Sequence, residues 1–190
     1  MPLLEQIRHN AHILIGDYQF ADSVQKEVLS LFNKGVATIP KDKTNVKCKL
    51  HTGFVWEPDN IVFKNLRSYI SQEIETFYAP GSRTDGTRNR LECVNFWGMA
   101  YAKGDYAQSH NHKPCAYSFA YFVKSKWYHP PLVFDESGYK VRPKEGRFVI
   151  FPAYLQHHVP KNRFNEDRVT ISGNLSLRKD DIRVEKGGDS

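Results

Sequence analysis

Two hydrophobic periodicities divide the chain. Residues 21–33 place Val24, Val28, Leu29, Leu31 and Phe32 at helical spacing, with Asp22 or Ser23 as a cap and Asn33-Lys34-Gly35 as a stop. A second helix is predicted from Ile61, Leu66, Tyr69, Ile70, Ile74 and Phe77 on its buried side, capped by Asp59 or Asn60 and ended by Ala79-Pro80-Gly81. Residues 1–20 predict a strand ending near Ile13-Leu14-Ile15. Residues 36–52, with Pro40 and alternating lysines, predict a loop or an edge strand, and residues 80–90 a mobile loop. From Leu91 onward short aromatic and β-branched runs alternate with turns, at 91–102, 105–111, 115–124, 131–135, 147–151, 156–160 and 167–177.

That order predicts an α+β fold: helical support over about 1–90, an antiparallel β-sandwich over about 91–178, and a polar tail at 179–190, all as one domain. The aromatic content, twelve Phe, ten Tyr and three Trp, suits a β-rich core, in which Phe96, Trp97 and Tyr117 are expected.

Composition narrows the function classes. No apolar run reaches the roughly 18 residues of a membrane span. Met1-Pro2-Leu3-Leu4-Glu5 lacks the start of a signal peptide. Cys48, Cys93 and Cys115 are odd in number and widely spaced, which argues against a zinc–thiolate site or a disulfide framework. A reducing, cytoplasmic setting is expected, the host cytoplasm for a viral chain. The net charge of +6 is scattered rather than gathered in a stripe, so it reads as a solvated basic surface rather than a nucleic-acid footprint. The same charge would attract a small anionic co-substrate.

The chemistry-bearing residues lie in the β-rich half. His110 and His112 are one residue apart, and on a strand both rings would point to the same side. His157 follows on a later strand, and a third imidazole from there would close a three-point metal site with open positions for substrate and oxidant. His158 would point to the opposite face from His157, and parity alone does not choose between them. His9, His12, His51 and His129 are read as ordinary surface or core histidines. Arg168 and Thr170 share one face of the last strand.

The segment from Tyr101 to Asn174 resembles the Fe(II)- and 2-oxoglutarate-dependent oxygenases, in the prolyl-hydroxylase-like branch, and looks closest to the small members found in bacteria and their phages. Tyr101-Ala102-Lys103-Gly104 leads into His110-Asn111-His112. Pro143-Lys144-Glu145-Gly146-Arg147-Phe148-Val149-Ile150-Phe151-Pro152 matches the family's Pro-x-x-Gly-x-x-x-x-Phe-Pro strand. Gln156-His157-His158-Val159-Pro160 and Arg168-Val169-Thr170 follow at the family's interval. The resemblance implies a double-stranded β-helix (a jelly roll, cupin-like) buttressed by N-terminal helices. It implies Fe(II) on His110, His112 and His157, the distal ligand being the residue two before Val159. It further implies 2-oxoglutarate with its far carboxylate on Arg168, assisted by Thr170, with Tyr101 and Tyr121 as further contacts. O2 would be the other co-substrate, hydroxylation the outcome, and succinate and CO2 the co-products.

One position departs from the family. The usual second ligand is a carboxylate, and here it is His112, as in the small bacterial and phage subgroup. A third neutral imidazole leaves the site one unit more positive, which would loosen the metal and favour an anionic ligand. Asp105 or Asp135 could supply a carboxylate instead. Two readings compete with the oxygenase: a three-histidine cupin-like metalloenzyme without 2-oxoglutarate, and a β-sandwich binding or structural module without chemistry. Arg168-x-Thr170 favours the oxygenase. The sequence leaves the oligomeric state and the prime substrate open, whether small molecule, protein or nucleic acid. The 80–90 loop and residues 125–131 are expected to rim the pocket, and Asn95 to stand near it.

Overall fold

Period-two alternation along the strands decides the layers, because successive side chains leave a strand on opposite faces. A computed structural model describes residues 3–7, 11–78 and 90–177. Its strands are β1 (Leu3–Ile7), β2 (Ala11–Asp17), β3 (Val46–Lys47), β4 (Leu50–His51), β5 (Leu91–Tyr101), β6 (Tyr106–His110), β7 (Tyr117–Lys124), β8 (Leu132–Phe134), β9 (Lys140–Val141), β10 (Arg147–Pro152), β11 (His157–Val159) and β12 (Arg168–Leu177). Two helices, α1 (Ala21–Lys34) and α2 (Ile61–Tyr78), and a short 3-10 turn at Lys41–Lys43 complete the elements.

The strands form a seven-stranded sheet in the order β1-β2-β10-β7-β12-β5-β4 and a five-stranded sheet in the order β3-β6-β11-β8-β9. Every pairing between these strands is antiparallel. This is the jelly roll buttressed by helices that the sequence predicts.

Each central strand of the large sheet feeds two cores. Trp97, Met99 and Tyr101 of β5, Ala120 and Phe122 of β7, and Val149 and Phe151 of β10 face the small sheet. Their neighbours Phe96, Ala100, Phe119, Tyr121, Val123, Phe148 and Ile150 face the helices. There they meet Val24 and Val28 of α1 and Phe63, Leu66, Ile70 and Ile74 of α2, all fully buried.

The helices differ from expectation at their ends. α1 begins at Ala21 with Phe20 at the N-cap and no side-chain cap, so neither Asp22 nor Ser23 caps it; Asp22 sits in the first turn, where a carboxylate suits the positive end of the helix dipole. α2 is capped by Asn60, whose Oδ1 accepts from the backbone N–H of Val62 (3.0 Å) and Phe63 (3.3 Å). Ile61, expected on the buried side, is 66% exposed because it opens the helix on its outer face. The predicted stop at Ala79-Pro80-Gly81, the 80–90 loop up to residue 89, and the 179–190 tail lie outside the described residues.

A division into helices before Leu91 and sheet after it does not describe the chain. β1 to β4 all precede Leu91 and supply edge and near-edge strands to both sheets. Period-two signals in strands of two residues are too short to read from a sequence. No helix among the described residues is long and apolar enough to cross a membrane.

The site is positioned by β12, which lies between β5 and β7 in the large sheet. Gly173 lets these three strands approach: a Cβ there would stand 2.5 Å from the Phe119 ring and 2.6 Å from the Asn95 carbonyl oxygen. The ring could swing away, but the backbone oxygen is held in the β5–β12 ladder. Gly173→Ala is therefore expected to lower stability by about 1–3 kcal/mol, as overpacking does. Urea unfolding checks this through a lower midpoint at unchanged slope; an unchanged midpoint would mean that the strands have room to spare.

Candidate metal centre

His110 ends β6 and His157 opens β11, and the two are direct partners in the antiparallel ladder. His112 is not on the strand. β6 stops at His110, and the His112 backbone N–H instead donates to the carbonyl of Ala153 at 2.8 Å. The turn after β6, rather than a same-face strand pair, brings the second ring in.

The ring centroids stand 4.9 Å (His110–His112), 4.4 Å (His110–His157) and 5.1 Å (His112–His157) apart. One ring nitrogen from each lies within 4.8 Å of the others. Closing onto an ion at the usual imidazole–metal distance of about 2.0–2.2 Å asks each nitrogen to move about an ångström at most. Nδ1 of His110 lies 2.7 Å from the Gln108 carbonyl, and Nδ1 of His157 lies 2.9 Å from that of Leu155. Donation from Nδ1 to these carbonyls fixes the tautomer and leaves Nε2 as the lone-pair nitrogen.

Burial keeps the rings neutral. It pushes the His112 pKa down to about 4, helped by the neighbouring His110. It lowers His110, and it takes His157 well below the ordinary histidine value, His110 again contributing. At neutral pH a metal ion would therefore meet three free lone pairs rather than three protons.

The neighbouring candidates are committed elsewhere. His158 faces away from the cluster and bonds through Nδ1 to Asp135 Oδ1, while the other Asp135 oxygen accepts from Ser109 Oγ. Asp105 is buried, and its carboxylate accepts from Lys41 Nζ (2.7 Å), the backbone N–H of Lys49 (2.6 Å) and that of Ala102 (2.9 Å). Neither acid replaces the missing ligand. Among the described residues the group that could hold a metal is His110, His112 and His157 alone.

Between the sheets the cluster opens onto a cavity lined by Trp97, Tyr101, Arg168, Thr170 and Ser172 among others. Arg168 is 2% exposed, yet its Nε and Nη1 have no hydrogen-bond partner among the described residues, and neither has Thr170 Oγ1. The guanidinium carbon lies 5.0 Å from the Tyr101 ring centre and 5.2 Å from that of Phe122. Burial lowers the Arg168 pKa, with Tyr101 opposing. An arginine stays charged through such a shift, so the cavity holds a buried cation with no counter-ion among the described residues. The water-accessible space is about 40 Å³, so a five-carbon diacid would enter only with side-chain adjustment.

Tyr101 is at the site, its phenol pKa raised by burial against the pull of Arg168. Tyr121 is not. Strand parity turns Ala120 and Phe122 inward and Tyr121 outward, where it packs among Tyr18, Phe148 and Ile171 in the helix-side core. Asn95 is also elsewhere, its Oδ1 accepting from Asn174 Nδ2 at 3.2 Å.

A second, wider space of about 480 Å³ meets the cluster from outside and shares His110, His112 and Trp97 with the cavity. It is rimmed by Asp42 to Lys47 and walled by His51 and Phe54. Residues 125–131, expected at the rim, line neither space. The sequence reading missed the rim and missed Trp97. Nothing in the polar 36–52 stretch distinguishes a rim from a loop. Trp97 could have been found, since it shares strand parity with Tyr101.

Residues 129–174 match the sequence model of a family described as "Putative 2OG-Fe(II) oxygenase". The match is under half of the chain; it includes His157, Arg168 and Thr170 and stops short of His110 and His112. No curated protein matches the sequence. Among solved structures, the chain is similar to a prolyl-4-hydroxylase from Pseudomonas putida (14% identity, TM-score 0.66, 87% of this chain and 92% of that one). It is similar to the viral collagen prolyl hydroxylase of Paramecium Bursaria Chlorella virus-1 in its 2OG complex (12% identity, TM-score 0.63, 86% and 94%). It is also similar to HygX of Streptomyces hygroscopicus with nickel, 2-oxoglutarate and hygromycin B bound (9% identity, TM-score 0.61, 86% and 82%). The chain thus shares the fold of these oxygenases, and the matched segment holds one histidine of the cluster together with Arg168 and Thr170.

Opposite parity at adjacent positions gives a clean contrast. His157→Ala is expected to abolish binding of one divalent ion, and His158→Ala to leave it within about threefold, since His158 serves only an exposed pair. Calorimetric titration of both variants with zinc or manganese checks this; metal loss on His158→Ala with retention on His157→Ala would reverse the assignment.

Proposed function

We propose that the protein is an Fe(II)- and 2-oxoglutarate-dependent oxygenase that hydroxylates a substrate reaching the metal from the outer groove. The observation that carries this is the Arg168 guanidinium: buried, charged, without a counter-ion among the described residues, and on the wall of the cavity that the three histidines close. A buried charge left unpaired is strongly unfavourable. A dicarboxylate that reaches from the histidines to Arg168 removes that deficit, and a metalloenzyme working without one has no use for it.

The residues divide the work. His110, His112 and His157 would hold the ion from one side, leaving the opposite side open. Arg168 would take the far carboxylate of the co-substrate through its unpartnered Nε and Nη1, and Thr170 would add its hydroxyl. Tyr101 and Phe122 flank the guanidinium with aromatic faces that keep water out and sharpen the charge pairing. Fe(II) and 2-oxoglutarate, when bound, supply an oxidation in which O2 converts the co-substrate to succinate and CO2 and one oxygen atom goes into a substrate C–H bond. The protein's part is to orient the two reactants and to separate a dry inner cavity from the groove at Asp42–Lys47. Hydroxylation is supported by the named activities of two structural neighbours, both prolyl hydroxylases.

Arg168→Ala is expected to weaken 2-oxoglutarate binding by roughly thirtyfold to several thousandfold, the equivalent of about 2–5 kcal/mol for a buried charge pair. Calorimetry on zinc-loaded parent and variant checks it. An equal dissociation constant in the two would remove Arg168 from the site.

A further inference from the structure

Trp97 stands four residues before Tyr101 on β5, so both rings face the inner cavity. The ladder sets Tyr101 opposite Arg168 and Trp97 opposite Ser172 on β12. The cavity therefore has a cationic end at Arg168 and another end about 13 Å further along the strand. That other end is beside the histidines, since the Trp97 ring centre lies 5.8 Å from that of His112.

The indole is held firmly but its donor is unused. His51 stacks on it at 6.3 Å with planes 7° apart, and Phe54 meets it edge-on at 5.4 Å. Trp97 is 4% exposed, and its Nε1 has no acceptor among the described residues. Buried N–H groups without partners are uncommon and call for an explanation. Trp56 Nε1 is also unpartnered, but Trp56 belongs to the helix-side core and does not line the histidine cavity.

We propose that the Trp97 Nε1–H is a co-substrate donor: it hydrogen-bonds the carboxylate at the metal end of 2-oxoglutarate, while Arg168 and Thr170 hold the far end. The inference rests on the oxygenase reading. It gives chemical meaning to the unpartnered donor atoms of three side chains on one cavity wall, Trp97 at the metal end, Arg168 at the cationic end and Thr170 between them. An indole N–H donates and cannot accept, so it favours a ligand that presents an oxygen lone pair there. It also adds no charge to a centre whose second ligand is already neutral.

The chain has three tryptophans, so its ¹H–¹⁵N spectrum holds three indole signals. Manganese loading identifies the Trp97 signal by broadening, because that ring is beside the histidines, and Trp97→Phe identifies it by loss. In the zinc-loaded protein, adding 2-oxoglutarate is expected to move that signal downfield while those of Trp56 and Trp127 stay in place. Trp97→Phe is expected to weaken 2-oxoglutarate binding about tenfold to a hundredfold, in keeping with a hydrogen bond to a charged group, with zinc affinity unchanged. Tight binding to the parent with an unmoved Trp97 indole signal overturns the inference and leaves the oxygenase reading standing. No binding at millimolar 2-oxoglutarate overturns both. If Trp97→Phe does not fold, the indole shift in the parent decides alone.

Discussion

A guanidinium taken out of water needs partners, and Arg168 has the faces of two aromatic rings and the Tyr101 hydroxyl, while its Nε and Nη1 have no acceptor among the described residues. Such faces attract a cation, but they do not replace the hydrogen bonds lost on burial. The fold keeps Arg168 in that position all the same. It is the first residue of β12, the strand clasped by β5 on one side and β7 on the other, so its backbone cannot move without opening the large sheet. A buried cation is thus built into the central ladder, and two of the histidines face it from the other sheet. The cavity exists because one sheet carries the cation and the other carries two of the three ligands.

Among the described residues no carboxylate joins the three histidines. Both nearby acids serve the scaffold: Asp105 ties the Lys41–Lys49 segment to the β5–β6 turn, and Asp135 joins Ser109 and His158 on the outer face. A divalent ion on three neutral imidazoles keeps its full charge, and Arg168 adds another. The two negative charges of a dicarboxylate would offset two of these three. A site of this kind depends more on its anionic co-substrate for charge balance than one with a carboxylate ligand does.

Much of this was legible in the sequence, for reasons that differ by residue. A β-sandwich was legible because short apolar runs alternate with turns from Leu91 onward, and its jelly-roll form was legible through the family resemblance. β3 and β4 were not, because two residues carry no period. His157 was separated from His158 only by the motif around it, and the structure gives the physical reason, one ring facing the cluster and the other Asp135. Tyr121 fits the resemblance but not the parity of its strand: its neighbours Ala120 and Phe122 face inward, so it faces the helices. Trp97 is core by burial, as its apolar surroundings on β5 predict, and only its unpartnered N–H marks it as more.

The direct test of the metal centre is anaerobic titration of the apo-protein with Fe(II) and 2-oxoglutarate, followed by visible absorption. The expected result is a weak charge-transfer band that requires both additions and saturates at one of each per chain, because only a co-substrate chelating the same iron produces it. Saturating Fe(II) with no band at millimolar 2-oxoglutarate would contradict it, and would leave three histidines holding a metal for some other chemistry.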